Sequence, residues 1–349
     1  MSPEIAGRAI GPDAPVFAIA EIGLNHHGDL PQALRMVDAA AGAGASAIKL
    51  QTLFADRLVA ASCPPPAHVA VSSLREFFAS FELDKEAHRA VVARARTHGL
   101  AVMSTPFAEN VVPMLEELDI DAYKIASGDL TYDGLIAAVA RTGKPLVIST
   151  GMGSLKEAAR AVRVARLAGA DHVAVLHCVS AYPTPAGSEN LRAIETLAGA
   201  LGVPVGLSDH SSGGIVSAVA AVALGASIYE RHFMIEDGPQ AIDAAVSSTP
   251  AQFAAIVAAM EQTRVALGDG RKRCLPAEAP NVIPSRRGLY ATRTLRAGDR
   301  ISADDVIALR PATSLAPADI AHLVGTILDR DVPAGEPFEA HDIAVRKAS

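Results

Sequence analysis

The sequence predicts an α/β fold, a barrel of eight parallel strands and eight helices, followed by a small domain rich in β-structure. Short apolar runs alternate with longer segments of helical periodicity through residues 1–268. Residues 269–285 are rich in Pro and charge, as is typical of a linker, and residues 286–349 hold short strand-like runs between turn residues. An open doubly wound sheet is the alternative, and the count of eight strand–helix pairs favours the barrel.

Each expected barrel strand is a short run of apolar and β-branched residues. These runs are residues 16–21, 46–51, 100–104, 122–126, 145–149, 172–177, 203–208 and 227–233. The expected helices are residues 30–43, 84–97, 109–118, 132–142, 154–168, 189–200, 212–224 and 250–266. In the segment 154–168, Ser154 and Glu157 can form a capping box, and Gly169 follows the last turn.

The C-terminal segment has strand-like runs at 288–295, 306–312 and 325–332, separated by turn signals such as AGD and PAGE. The stretches LRAGDRISADDVIALR and VPAGEPFEAHDIAVR form a weak internal repeat. Each contains a Gly turn, an apolar pair, and then an acid followed by Ile or Val. This pattern predicts a small domain of β and irregular structure.

Composition limits the class of protein. Half of the 349 residues are hydrophobic, and the formal net charge is −7 without any block of Lys and Arg. We therefore expect no nucleic-acid partner and no membrane surface. Three widely spaced Cys favour a reducing compartment over a disulfide framework. Residues 1–17 lack an apolar leader and no apolar run is long enough to span a bilayer, so we expect a cytoplasmic protein.

Polar residues gather where the expected strands end, which is where barrel enzymes have their active sites. Nearly every strand delivers such residues, and a barrel that serves stability alone would not need them. They are Glu21, Asn25, His26, Lys49, Gln51, Ser104, Thr105, Lys124, Ser127, Asp129, Ser149, Thr150, His177, Ser180, Tyr182, Ser208, Asp209, His210, Glu230, Arg231 and His232.

His210 and His232 end neighbouring strands. Adjacent parallel strands lie ~4.8 Å apart, so both imidazoles can reach one ion. Such a site suits Mn, Zn, Fe or Co better than Mg, and Asp243 could be a third ligand or a substrate contact. The alternative is that each is a structural histidine with satisfied hydrogen bonds.

Lys49 and Lys124 lie within apolar strands, in AIKLQ and YKIAS. Buried lysines are costly unless they are paired or functional. Two ammonium groups at the same end of a barrel indicate a site for phosphate and carboxylate. The alternative is that their side chains snorkel to the barrel rim.

These stretches together resemble the sialic acid (N-acetylneuraminate, nonulosonic acid) synthase family. The matching segments are FAIAEIGLNHHGDL, AIKLQT, STPF, YKIASGDL, VISTGMGS, LHCVSAYPTP, GLSDHSSG and VALGASIYERHF. The stretch SRRGLYATRTLRAGDRISADDVIALRPA is similar to the antifreeze-like (SAF, β-clip) domain of that family. The resemblance implies a TIM barrel followed by an antifreeze-like domain.

The resemblance also implies an activity, that of a transferase in polysaccharide biosynthesis. Phosphoenolpyruvate condenses with an N-acyl amino sugar aldehyde such as N-acetylmannosamine, giving a nine-carbon 2-keto acid and phosphate. His210 and His232 would bind a divalent metal ion, with Mn²⁺ expected and Mg²⁺ or Co²⁺ as alternatives. The motif LRPATS implies a domain-swapped homodimer in which Arg310 of one subunit reaches the sugar in the partner's barrel.

Matching motif positions imply roles for the remaining residues. Those that would hold phosphoenolpyruvate are Lys49, Thr105, Lys124, Ser127, Ser149 and Ser208, with Ser180 where some members have Asn. Those that would face the sugar or the metal-bound water are Glu21, Gln51, Asp129, Tyr182 and Asp243.

One departure concerns the acceptor sugar. Many members have Asp-His-Lys-Ala-Ser after the eighth strand, whereas here DAAVS places Ala244 at the position of the His. The protein could therefore instead synthesise pseudaminic or legionaminic acid, or be a variant enzyme of spore-coat polysaccharide biosynthesis. A further alternative is another phosphoenolpyruvate-dependent aldol synthase, of the 3-deoxy-octulosonate phosphate type, although the antifreeze-like tail argues against it. The least favoured alternative is a non-catalytic protein that binds ice or glycan.

Overall fold

The computed structural model describes residues 3–63, 73–236 and 241–342. The chain divides into two compact units, Met1–Gly268 and Asp269–Ser349. The first unit contains the barrel and the second contains the small C-terminal domain. Within the described ranges, no helix is both long and apolar enough to cross a bilayer.

Eight parallel strands of the first unit close into a barrel, which confirms the predicted fold class. A two-stranded antiparallel hairpin, β1 (Glu4–Ile5) and β2 (Arg8–Ala9), precedes it. The barrel strands are β3 (Phe17–Glu21), β4 (Ala47–Thr52), β5 (Ala101–Pro106), β6 (Ala122–Ile125), β7 (Leu146–Ser149), β8 (Val173–Cys178), β9 (Val205–Asp209) and β10 (Ile228–His232). Strand β10 pairs with both β9 and β3, so the last strand closes the barrel against the first.

Helices surround the barrel as predicted. In chain order they are α1 (Leu30–Gly42), α2 (Ala55–Leu58), α3 (Leu74–Ala79), α4 (Lys85–Thr97), α5 (Val112–Glu117), α6 (Asp133–Ala140), α7 (Leu155–Leu167), α8 (Ala193–Leu201), α9 (Ile215–Ala223) and α10 (Pro250–Leu267). The capping box of Ser154 and Glu157 is present at the start of α7. The short helices α2 and α3 were not predicted because periodicity is not visible over so few residues.

Helices α8 and α9 begin later than predicted. Residues 189–192 and 212–214 precede them as loops. Asn190 has φ 45° and Gly214 has φ 77°, values that a right-handed helix excludes. Both helices therefore start only after the chain has turned away from the barrel.

Alternation along each strand decides which residues face the inside of the barrel. In β4, Ile48 and Leu50 pack between strands and helices, whereas Ala47 packs in the barrel interior. Lys49 and Gln51 share the face of Ala47 and therefore point inward at the carboxyl end. The same alternation in the other strands builds a polar layer there, which includes Glu21, Lys49, Thr105, Lys124, Ser149, Cys178, Ser208 and Glu230.

The opposite end of the barrel is filled with apolar side chains. Ile5 and Ile10, from the N-terminal hairpin and the residue after it, pack in one buried cluster with Phe17, Ala101 and Ile228. These last three residues are the first residues of their strands. In the described part of the chain, the hairpin therefore closes the amino-terminal end of the barrel.

The second unit contains an antiparallel pair of strands and irregular segments. Strand β11 (Gly288–Ala291) pairs with β12 (Val306–Leu309). The predicted strand-like run 325–332 contributes isolated bridges instead of a strand. The segment 269–285, predicted as a linker without regular structure, contains a short helix, α11 (Val282–Ser285), and a later helix, α12 (Ile320–Leu323), lies between the strands and the C-terminus.

The weak internal repeat corresponds to two equivalent buried carboxylates in the second unit. Asp305 and Asp342 each end a 3₁₀ turn and accept a hydrogen bond from the backbone N–H three residues earlier. The Nε of Arg293 donates to Asp305 at 2.7 Å, and the Nε of Arg330 donates to Asp342 at 2.9 Å. The repeated acids therefore stabilise two similar turns.

Candidate active site

A cavity of about 370 Å³ lies at the carboxyl ends of the barrel strands. Lys49, Lys124, His210 and His232 all line it, and each is at most 6% exposed. A larger cavity, about 590 Å³, lies between the loops after β8 and β9, but no buried ionisable side chain lines it. The concentration of buried ionisable groups indicates that the smaller cavity is the chemical site.

Glu230 joins the two lysines at the bottom of the cavity. Its Oε2 lies 3.1 Å from Nζ of Lys49, and its Oε1 lies 3.7 Å from Nζ of Lys124. The hydroxyl of Ser208 donates to Oε1 of Glu230 at 2.8 Å. Glu21 forms a second ion pair with Lys49. Two ammonium groups thus face two carboxylates, and this pairing offsets the cost of burying the charges.

The charges of this cluster shift the pKa values within it. Burial lowers the pKa of Lys49 to about 8, and the negative charge of Glu230 counteracts part of this effect. Burial acts to raise the pKa of Glu230, but Lys124 and Lys49 outweigh it and lower that pKa to about 2. At neutral pH Lys49 is therefore largely protonated and Glu230 is ionised.

Hydroxyl groups complete the lysine side of the cavity. The ammonium of Lys124 donates to Oγ of Ser149 at 2.6 Å. Thr105 Oγ1 is buried and has no hydrogen-bond partner within the described residues. An unpaired buried hydroxyl beside two lysines fits a ligand with acceptor oxygens, such as a phosphate or a carboxylate.

Gly151 brings the loop after β7 close to these hydroxyls. Its N–H donates to Oγ of Ser127 at 3.0 Å. A Cβ at this position would overlap Oγ of Ser180 and lie 2.8 Å from Oγ of Ser127. A larger residue at position 151 would therefore displace the hydroxyls of Ser127 and Ser180, which line the cavity.

The two imidazoles lie together on the other side. Their ring centroids are 5.5 Å apart, and the ring of Tyr182 packs on His210 with a centroid distance of 4.1 Å. Nδ1 of His210 lies 2.9 Å from the carbonyl oxygen of Val179, so we assign the proton to Nδ1 and a lone pair to Nε2. Nδ1 of His232 lies 3.4 Å from Oδ2 of Asp243 and has no hydrogen-bond partner within the described residues.

Protonation differs between the two rings. Burial and the positive charges of His210 and Lys49 lower the pKa of His232 well below its usual value. His232 is therefore neutral, which is the form that binds a metal ion. Burial also acts to lower the pKa of His210, but Cys178, the carbonyl of Val179 and the negative charge of Glu230 together outweigh it and raise that pKa.

These donors fit a divalent cation with open coordination positions. Two imidazoles with a carboxylate beside one of them suit transition metals. Over the described ranges, no group of three His, Cys, Asp or Glu side chains gathers around one point. A cation held here would therefore take further ligands from substrate or water, as catalytic metal sites do.

Three residues of the predicted site do not line the cavity. Asp243 contacts His232, as described above. Asp129 is half-buried in a 3₁₀ turn after β6, where burial raises its pKa to about 6 against the opposing charge of Lys124. Arg310 follows β12 in the second unit and is exposed. The predicted residues that do line it are Glu21, Lys49, Gln51, Thr105, Lys124, Ser127, Ser149, Ser180, Tyr182, Ser208, His210 and His232.

Other residues line the cavity without having been assigned to the site, and Glu230 is the most central of them. It could have been found from the strand period, since residues two apart on one strand share a face and His232 was already assigned there. Cys178, Phe107 and Met152 also line the cavity. No sequence signal distinguished these three.

Asp209 and Arg231, which also end strands, do not line the cavity. Each is offset by one residue from an inward-facing neighbour, and their side chains pair at 3.2 Å on the outside of the barrel. The hydroxyl of Tyr229 donates to the same carboxylate at 2.7 Å. These groups stabilise the strand ends against the helical layer.

The fold and this strand-end site define a (β/α)₈-barrel enzyme with a C-terminal β-rich domain. Residues 36–272 match the model of the NeuB family, and residues 286–344 match that of the SAF domain. The chain belongs to the NeuB family.

Named relatives agree with this assignment. The N,N'-diacetyllegionaminic acid synthase of Legionella pneumophila is 34% identical over 93% of this chain and 94% of its own. A pseudaminic acid synthase of Campylobacter jejuni is 34% identical over 95% and 97%. The crystal structure of the N-acetylneuraminic acid synthetase from Leptospira borgpetersenii, in complex with citrate, superposes with a TM-score of 0.73 at 33% identity, covering 81% of this chain and 95% of that one. The protein is an enzyme of this acid-synthase class.

Proposed function

We propose that the protein condenses phosphoenolpyruvate with an N-acyl amino sugar aldehyde to give a nine-carbon 2-keto acid and phosphate. The observation that carries the proposal is the common cavity of Lys49, Lys124, His210 and His232. It combines an anion site with a pair of imidazoles suited to a cation. The names of the relatives, synthases of legionaminic, pseudaminic and N-acetylneuraminic acids, support the class of product.

Phosphoenolpyruvate would lie on the lysine side. Its phosphate and carboxylate can pair with the ammonium groups of Lys49 and Lys124. The unpaired hydroxyl of Thr105 supports this placement because it can donate to a substrate oxygen. The hydroxyls of Ser127, Ser149, Ser180 and Ser208 border the same space.

His210 and His232 would hold the divalent cation, for which Mn²⁺ is the first candidate and Mg²⁺ or Co²⁺ are alternatives. When bound, the cation supplies Lewis-acid polarisation of the sugar aldehyde. Tyr182, stacked on His210, lines the space where the sugar would lie, and Asp243, beside His232, is a candidate contact for the sugar or the metal-bound water. Gln51 and Asp129 are candidate contacts for the sugar hydroxyls.

The reaction balances with water as the only additional reactant. C3 of phosphoenolpyruvate attacks the aldehyde carbon, and the aldehyde oxygen takes a proton to become a hydroxyl. Water adds to C2 and gives a proton to a carboxylate, a role for which Glu21 is the candidate because its Oε1 has no hydrogen-bond partner within the described residues. The bond from C2 to the phosphate oxygen then breaks, leaving the keto acid and inorganic phosphate.

The proposal extends to assembly and location. Arg310 of one subunit would contact the sugar bound by its partner in a homodimer, and its exposed position leaves the guanidinium available for this. A cytoplasmic location would give the enzyme access to phosphoenolpyruvate. The SAF domain match favours this activity over that of an octulosonate phosphate type of synthase.

A phosphate-release assay tests the function. The enzyme is incubated with Mn²⁺, phosphoenolpyruvate labelled with ¹⁸O in the bridging oxygen, and one acceptor at a time. The acceptors are N-acetylmannosamine, its 6-phosphate and diacetamido-trideoxyhexoses of the kind that would yield legionaminic and pseudaminic acids. We expect one acceptor to give a nine-carbon keto acid and phosphate that retains the label. No turnover with any acceptor, or unlabelled phosphate, would contradict the proposal.

A further inference from the structure

Asn25 lies in the loop after β3, outside the cavity lining, and is 1% exposed. The loop belongs to the first barrel strand, whereas His232 ends the last. Strands β3 and β10 are neighbours in the barrel, and Glu21 is paired with His232. Asn25 therefore lies next to the junction between the first and the last strand of the barrel.

The side-chain amide of Asn25 makes three hydrogen bonds, all to the segment after β10. Its Nδ2 donates to the carbonyl oxygen of Phe233 and to Oγ of Ser247, both at 3.0 Å. Its Oδ1 accepts from the backbone N–H of Asp243 at 3.1 Å. Both N–H groups and the oxygen are therefore used.

These bonds fix the position of Asp243 relative to His232. Phe233 directly follows His232, so one bond of Asn25 is made to the backbone next to His232 and another to the backbone N–H of Asp243. The hydroxyl of Ser247 also donates to the carbonyl oxygen of Asp243, at 2.7 Å. The carboxylate of Asp243 lies 3.4 Å from Nδ1 of His232 as a result.

We propose that Asn25 is a positioning residue for the cation: it holds the 243–247 segment against the end of β10 so that the Asp243 carboxylate faces His232. The inference rests on the proposed function, because it assumes that His232 binds a divalent cation. Residues that orient metal ligands through hydrogen bonds typically change metal affinity about 10- to 100-fold when they are replaced.

The lysine side of the cavity should be independent of Asn25. Thr105, Lys124 and Ser149 lie on β5, β6 and β7, respectively. Among the described residues, none of the three makes a hydrogen bond to Asn25 or to the 243–247 segment. A loss of cation affinity with unchanged binding of phosphoenolpyruvate would therefore distinguish positioning from a general disturbance of the fold.

Titration with Mn²⁺, followed through the electron paramagnetic resonance of the free ion, measures this affinity without turnover. The variants are Asn25→Ala, Asp243→Ala, their combination, and Ser247→Ala. The control is Asn110→Ala, at an exposed Asn in the 3₁₀ turn after β5. Circular dichroism and the affinity for phosphoenolpyruvate are measured on each.

We expect Asn25→Ala to raise the dissociation constant of Mn²⁺ about tenfold or more, and Ser247→Ala to raise it less. The double variant should bind Mn²⁺ no more weakly than Asp243→Ala, because Asn25 acts through that carboxylate. Affinity for phosphoenolpyruvate should stay within about twofold of the wild type in all of them.

Three results would overturn the proposal: wild-type Mn²⁺ affinity in folded Asn25→Ala, additive losses in the double variant, or no Mn²⁺ binding by the wild type. If Asn25→Ala does not fold, an unchanged affinity in Ser247→Ala overturns it. Failure of every sugar in the phosphate-release assay, with these Mn²⁺ shifts present, would count against the proposed function and leave the positioning role intact.

Discussion

The carboxylate of Glu230 lies 3.1 Å from the ammonium of Lys49. Since Lys124 lies 3.7 Å from the other oxygen of the same carboxylate, one buried acid neutralises part of the charge of both lysines. An arriving anion must share these lysines with Glu230. The affinity for a ligand with two negative charges therefore depends on both ammonium groups and on whether they are protonated.

Replacement of Lys124 by Gln should weaken the binding of phosphoenolpyruvate. A hydrogen bond to a charged group contributes about 1.5–3 kcal/mol, so we expect a loss of roughly 10- to 100-fold. Isothermal titration calorimetry of phosphoenolpyruvate measures it. The matched control is Lys156→Gln, at an exposed position on α7. Equal losses in both variants would show that Lys124 has no particular role in binding the anion.

The affinity for phosphoenolpyruvate should also fall as pH rises through about 8. Burial lowers the pKa of Lys49 to that value, so its ammonium is charged below it and neutral above it. Affinity measured from pH 7 to 9.5 should decline, and Lys49→Arg should flatten the profile because a guanidinium stays charged. A flat profile in the wild type would contradict the assignment.

The same shift has a consequence for stability. The unfolded chain holds Lys49 near its ordinary pKa of 10.5 and so binds more protons between pH 8 and that value. The contribution of Lys49 to the free energy of unfolding should therefore rise with pH across this window. Denaturation by urea at a series of pH values, compared between the wild type and Lys49→Arg, isolates it.

Thr105→Val should separate binding from stability. The change keeps the shape of the side chain and removes a buried hydroxyl that has no partner within the described residues. The free energy of unfolding should stay the same or rise by about 1 kcal/mol, while affinity for phosphoenolpyruvate should fall about tenfold. Thr105→Ser, which retains the hydroxyl, is the control and should bind nearly as well as the wild type. A marked loss of stability in Thr105→Val would mean that the hydroxyl serves the fold.

His210→Ala and His232→Ala should each lose Mn²⁺ binding and phosphate release together. Because Lys49 and Lys124 lie on other strands than the two histidines, phosphoenolpyruvate should still bind in the absence of the metal. Equilibrium dialysis with Mn²⁺ and the phosphate assay check both statements. His322→Ala, at an exposed position in the second unit, is the control. Full metal binding by either of the first two variants would show that the ligands are misassigned.

Arg310→Ala should raise the KM for the sugar about tenfold or more and leave the KM for phosphoenolpyruvate nearly unchanged. Arg286→Ala, at another exposed position in the second unit, is the control. If Arg310 acts on the partner's site, a mixed dimer of Arg310→Ala and Lys124→Gln subunits should contain one intact site, and its activity at limiting substrate should exceed that of either variant alone. No recovery after subunit exchange would contradict an interchain role.

The barrel could be predicted because its strands are short apolar runs that end in polar residues. The starts of α8 and α9 could not, because Asn190 and Gly214 leave the helical region without a strong break in the pattern. The strand period also separates inward from outward residues. In the last two strands it places Glu230 in the cavity and Asp209 and Arg231 outside the barrel, a difference that position at a strand end alone does not reveal.

The lysine and histidine positions in the cavity could be predicted from the sequence because each is an ionisable residue within, or directly after, an apolar strand. The contacts of Asn25 could not be, since its partners Phe233, Asp243 and Ser247 lie more than 200 residues away along the chain. Glu230 lies between two lysines that come from β4 and β6, an arrangement that only barrel closure brings about. Local patterns identify which residues reach the site, and the closed topology decides how they pair.

Ile5 and Ile10 close the amino-terminal end of the barrel with apolar side chains. In the described part of the barrel, reactants can therefore reach the lysines only through the carboxyl-terminal opening. If phosphoenolpyruvate binds at these lysines, as proposed, it has to enter before a sugar that binds between the lysines and the opening. Steady-state kinetics should therefore show an ordered mechanism, in which phosphoenolpyruvate binds first and excess sugar inhibits its binding. The sugar acid should have to leave through the same opening before the next phosphoenolpyruvate can bind.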